Sequence, residues 1–108
     1  MARRRKKAEL QMRIDGLIEP YEGSKLRAVW KAFQVGGTWH RLGKSSRKVA
    51  RFRHKKYVGK VRLEWWGKAI RFTVEDADNS GRIAGAFVGH VQRHGKTIVD
   101  RIDLRFEH

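Results

Sequence analysis

The side chains in this sequence best suited to chemistry are cations. Arg41, Lys44, Arg47, Lys48, Arg51, Arg53, Lys55, Lys56, Lys60 and Arg62 fall in a stretch between Glu22 and Glu64 that holds no acidic residue and 13 of the 26 Lys and Arg. That stretch carries +13, while the rest of the chain is only +2. A second cluster, Arg3, Arg4, Arg5, Lys6 and Lys7, opens the chain as a basic arm. Charges of one sign repel each other until counter-charge arrives, so the pattern points to a polyanion rather than to a solvated face of mixed sign. A nucleic acid is the expected partner, with phosphates as the main contact.

Aromatic residues interleave with these cations. Trp66 follows Trp65 in a strand-like run, so the two indoles face opposite sides, and Trp66 shares its side with Lys60, Arg62 and Arg71. An indole beside guanidinium groups can stack on a base while the cations hold phosphates. Trp39 and Tyr57 flank the basic segment and are further candidates for stacking, although residues of this kind more often belong to a core. Trp30 belongs to the core in either reading of its segment.

Other chemistries find less support. His90 and His94 have a spacing that suits a metal on a helix, but they lie in an expected strand with no third ligand nearby, so no metal or other cofactor is expected. Asp76, Asp78, Ser80 and Gly81 open like a calcium loop, yet Phe87 stands where the bidentate Glu belongs. A small metal-dependent nuclease built on Glu75, Asp76 and Asp78 is the enzymatic alternative. No cysteine is present, and no nucleophile elbow, phosphate-cradling loop, zinc finger or heptad repeat occurs.

The elements that would position these residues follow from periodicity. Leu10, Met12, Ile14 and Ile18 alternate with polar residues and predict a strand that ends at Pro20. Residues 24–35 fit a helix, with Leu26, Val29, Trp30 and Phe33 on one stripe, and fit a strand less well. Placing Gly67-Lys68 in a two-residue turn pairs residues whose numbers sum to 135. Val61 then meets Val74, Leu63 meets Phe72 and Trp65 meets Ile70 on one face, with Lys60 opposite Glu75 and Glu64 opposite Arg71 on the other.

The same treatment of Gly95-Lys96 predicts a second hairpin over 83–107, pairing Phe87 with Leu104 and Gly89 with Ile102. Tyr57-Val58-Gly59-Lys60-Val61 and Phe87-Val88-Gly89-His90-Val91 share local wording, which raises a duplicated hairpin as an alternative. The expected architecture is mainly β. It is a small antiparallel barrel or curled sheet built from hairpins at 57–75 and 83–107, with one helix at about 24–35. Residues 1–7 form the arm, and 8–108 form one globular domain with a basic insertion at about 43–56.

At 108 residues, 40% hydrophobic and 10% aromatic, the chain can bury a core without disulfides despite a net charge of +15. No apolar run approaches the roughly 20 residues of a membrane span, so the expected setting is cytoplasmic, including nucleoid or ribosome, with no membrane partner. The function expected is non-catalytic binding of DNA or RNA, single strands before duplex. A structural component that packages nucleic acid, in a virion, chromatin or a ribosome, is a further alternative, and a homo-oligomer stays open.

Overall fold

In the computed structural model, residues 12–35, 37–44, 46–77 and 80–107 are described. The arm of residues 3–7 lies outside them. The 61–74 pairing is present as expected: β4 (Gly59–Trp66) and β5 (Ala69–Asp76) form a hairpin with Val61 opposite Val74, Leu63 opposite Phe72 and Trp65 opposite Ile70. Gly67 takes a φ of 62°, the region that the first central position of a primed hairpin turn requires. Alternation therefore puts Val61, Leu63, Ile70, Phe72 and Val74 on one buried face, with Asp76 at its end, and Lys60, Arg62, Glu64, Arg71 and Glu75 on the other.

Four more strands extend this hairpin into one antiparallel sheet ordered β2-β3-β4-β5-β1-β6. They are β1 (Met12–Pro20), β2 (Trp39–Arg41), β3 (Val49–His54) and β6 (Val99–Glu107). The sheet is mainly what the sequence leads one to expect, but it is open, with β2 and β6 as its edges, and does not close into a barrel. Two helices, α1 (Arg27–Gln34) and α2 (Arg82–His94), cover its apolar face. The helix expected at 24–35 is α1, whose Val29 and Phe33 are fully buried.

The second hairpin, 83–107, is not formed, and its first half is α2. Ile83, Phe87 and Val91 are four residues apart, a spacing that satisfies every second position of a strand and also one stripe of a helix. The helix wins because it drives all three into the core beneath Phe33, with Phe33 and Phe87 ring centroids 5.4 Å apart. Gly85 and Gly89 then fall where an added Cβ would touch nothing. Two helical glycines cost about 1 kcal/mol each relative to Ala, less than three buried side chains contribute. With α2 helical and β4 extended, the shared wording of 57–61 and 87–91 encodes two different structures, and no duplicated hairpin exists.

The basic segment 43–56 is likewise not an insertion, since it contains β3. Ala50 and Phe52 point into the core and alternate with Arg51 and Arg53, so the segment is integral to the sheet. In β1, Gly16 sits where a Cβ would collide with the Asp103 carbonyl oxygen and the Phe72 ring. Only glycine lets β6 and Phe72 approach this closely.

Candidate nucleic-acid interface

The face of the sheet without helices gathers much of the charge. Register sets Arg51 of β3 directly opposite Arg62 of β4, and Arg53 opposite Lys60, with His40 of β2 opposite Arg53 on the far side. Like charges placed directly across an antiparallel pair destabilise it. Among the described residues Arg51, Arg53 and Lys60 form no ion pair, while Arg62 donates to Glu64 at 3.2 Å.

Next to this block stands Trp66, on the same face and 57% exposed, as alternation along β4 implies. The Arg71 guanidinium lies over its ring at 4.8 Å from the centroid, a cation–π contact that fixes the indole and still leaves over half of it open. Arg62, Glu64, Trp66 and Arg71 form one side of a groove of about 610 Å³ whose other side is β1 and β6. There the charges are compensated. Arg13 pairs with Asp15 at 3.2 Å and Arg101 with Glu19 at 2.8 Å. Partial burial raises the Asp15 carboxyl, but hydrogen bonds from Arg13 and Thr73 outweigh it and hold the group below its ordinary range. The cationic potential of the outer face is thus concentrated on β3 and β4.

No family model, curated protein or solved structure matches this chain. The geometry therefore carries the reading by itself.

The expected site residues divide into three groups. Arg51, Arg53, Lys60, Arg62, Trp66 and Arg71 come together on the outer face. Lys44, Arg47 and Lys48 occupy the exposed connection between β2 and β3, Lys55 and Lys56 the one between β3 and β4, and Arg41 the exposed end of edge strand β2. Trp39 and Tyr57 are not presented for stacking. Trp39 is 5% exposed and packs on Phe33 and His54, and Tyr57 is half-buried and stacks on His54 at 4.7 Å.

His90 and His94 do lie on a helix, one turn apart with ring centroids 4.5 Å from each other, correcting the strand assignment. No group of three or more His, Cys, Asp or Glu that could hold a metal occurs among the described residues. The His90 ring is packed on Phe33, and its Nε2 lies 3.0 Å from the Ala32 carbonyl. Burial, reinforced by His94 and Arg93, lowers its pKa against the opposing effect of the Ala32 contact. Glu75 and Asp76 are adjacent in β5 and face opposite sides, and the fully buried Asp76 carboxylate accepts the backbone N–H groups of Ser80 and Gly81 ahead of α2. Asp78 lies outside the described residues.

Sequence reasoning set Glu64 on this face opposite Arg71 but missed its ion pair with Arg62, and it missed the surroundings of Trp65. Trp65 points inward as expected but is only half-buried, stacking on Trp30 at 5.1 Å between centroids. The two rings line a groove of about 910 Å³ at the helix side of the sheet. The matching signal was present in Lys25, just before α1, and in Arg27 and Lys31, which bracket Trp30 on the helix.

Proposed function

We propose that this chain is a non-catalytic nucleic-acid-binding protein that holds phosphates on the outer face of β3 and β4 and stacks a base on Trp66. The observation that carries the reading is the register, which sets Arg51 across from Arg62 and Arg53 across from Lys60. Such pairs weaken the free sheet, and a polyanion laid across them relieves the repulsion and releases its own counterions. The exposed Trp66 beside Arg71 favours single strands, whose bases are free to stack, over duplex. The helix α2 adds little for groove readout, because Gly85 and Gly89 occupy its outer side. Cytoplasm, nucleoid and ribosome are the settings this reading implies. Among the described residues no helix is long and apolar enough to cross a membrane.

The test is a titration of labelled single-stranded and duplex DNA and RNA at increasing monovalent salt, with a separate incubation in magnesium or manganese. Four outer-face cations on a single strand give a log-log salt slope of about 3. A slope below about 2 removes the outer face as the main contact surface, and metal-dependent shortening of the labelled strand overturns the non-catalytic assignment.

A further inference from the structure

We propose that the groove over Trp30 and Trp65 is a second base-binding site, which takes an unpaired nucleotide of a single strand on the side of the sheet opposite Trp66. This inference rests on the nucleic-acid-binding reading above and adds to it a pocket for the base itself. The groove measures about 910 Å³, within the range of pockets that enclose small ligands. Trp30 and Trp65 stack on each other at 5.1 Å with 30° between their planes, and both rings line it.

Charge decides which occupant that surface suits. Lys25, Arg27, Lys31, Arg47 and Lys68 line the groove, and no Asp or Glu is among the described residues that do. An acyl chain or an apolar protein segment has no counter-charge to offer five cations. A planar heterocycle carrying phosphates satisfies both parts, with its ring on the indoles and its anionic oxygens on the rim.

The topology joins this groove to the outer face. Trp65 and Trp66 are neighbours in β4, so one strand supplies an indole to each side of the sheet. The Trp65 backbone N–H donates to the Lys48 carbonyl at 2.8 Å, which ties the basic β2–β3 connection to the end of the hairpin. Arg47 of that connection lines the groove, while Arg51, four residues on, stands on the outer face. Residues 47–51 thus place one cation on the groove side and one on the outer face.

The experiment uses the full chain and a single strand of about a dozen nucleotides carrying iododeoxyuridine, a length within the span of one small binding fold. Near-ultraviolet light breaks the carbon–iodine bond and joins the base to the aromatic ring stacked on it. After trypsin, Trp30 appears in the peptide 28–31, separate from the peptide 63–68 that contains Trp65 and Trp66, and fragmentation separates the last two. The expected result is crosslinking at Trp30 or Trp65 as well as at Trp66.

In the double variant Arg27→Glu/Lys31→Glu, crosslinking in the groove is lost, single-strand affinity falls roughly tenfold through lost phosphate contacts, and the Trp66 crosslink persists. Glu suits the helix dipole at Arg27, the first residue of α1, and opposes it at Lys31 in the last turn, so a circular-dichroism melt accompanies the variant and the wild-type crosslinks decide the assignment. Single-strand binding with crosslinks at Trp66 alone overturns the groove and leaves the outer-face reading standing. Failure of the wild-type protein to bind any single strand overturns both.

Discussion

Replacing Arg51 and Arg53 together by Gln is expected to make the free protein more stable and its complex weaker. Both residues face cations directly across the β3–β4 ladder, Arg51 against Arg62 and Arg53 against Lys60. A directly opposed pair is worth about 0.2–1 kcal/mol, so relieving two like-charge pairs returns roughly 1 kcal/mol. For a domain of this size that raises the melting temperature by about 4 °C. The gain is largest near 0.01 M salt, where the screening length is roughly 30 Å, and disappears near 1 M, where it is roughly 3 Å. Two fewer phosphate contacts lower the single-strand salt slope by about 1.4. Thermal melts at several salt concentrations, paired with binding titrations over the same range, read both quantities on one protein. A fall in melting temperature at low salt would show that the arginines brace the sheet, and an unchanged slope would show that phosphates do not lie there.

The tandem indoles separate in the same assays: Trp66→Ala costs roughly tenfold in single-strand affinity and little in melting temperature, whereas Trp65→Ala, removing a half-buried ring from Trp30, costs about 2 kcal/mol in denaturant unfolding. Equal single-strand affinity for Trp66→Ala and wild type removes the outer stacking role. Gly16→Ala forces a Cβ against the Asp103 carbonyl and the Phe72 ring and is expected to cost about 3 kcal/mol, read as a lower urea midpoint; an unchanged midpoint would show that β1 and β6 are not packed this closely. His90 and His54 have pKa values lowered in the folded state, chiefly by burial, so the unfolded chain binds more protons below the ordinary histidine value of 6.5. Their contribution is complete above pH 6.5 and is lost as pH falls through the lowered folded values; melting temperatures should drop over that interval, and less so in His90→Gln.

The β4–β5 hairpin was readable because both of its faces agree: a one-residue shift either way from the sum of 135 would set one of Leu63 and Val61 against a charged partner and the other against Thr73. The position of Trp66 followed from the same register. The reading of 83–107 failed where two periods coincide, since residues four apart serve strand and helix alike, and glycines at 85 and 89 argued locally against the helix that burial of Ile83, Phe87 and Val91 selects. The warning lay in the proposed pairing, where Gly89 faced the bulky Ile102. In 43–56 the density of charge concealed the alternation of Ala50 and Phe52 with Arg51 and Arg53. Pairings such as Arg51 with Arg62 were beyond reach, because they depend on which strand lies beside β4, and that is decided by packing across the whole sheet.

The order of strands also dictates an order of events in folding. β3, β4 and β5 follow one another in the chain and pair as neighbours, so their ladders close short loops at little entropic cost. Met12–Pro20 is made earlier than any of them, yet its two partners are β5 and β6, about 50 to 90 residues downstream. On a ribosome, Ile14 and Ile18 emerge long before the strands that enclose them, and β1 acquires its second neighbour only when Val99–Glu107 is released. The meander is therefore the seed of the fold and β1 its closing step. A chain stopped short of β6 keeps the cationic face formed by β3 and β4 while leaving one backbone edge of β1 unpaired, so loss of the last strand is expected to produce self-association before it produces loss of binding.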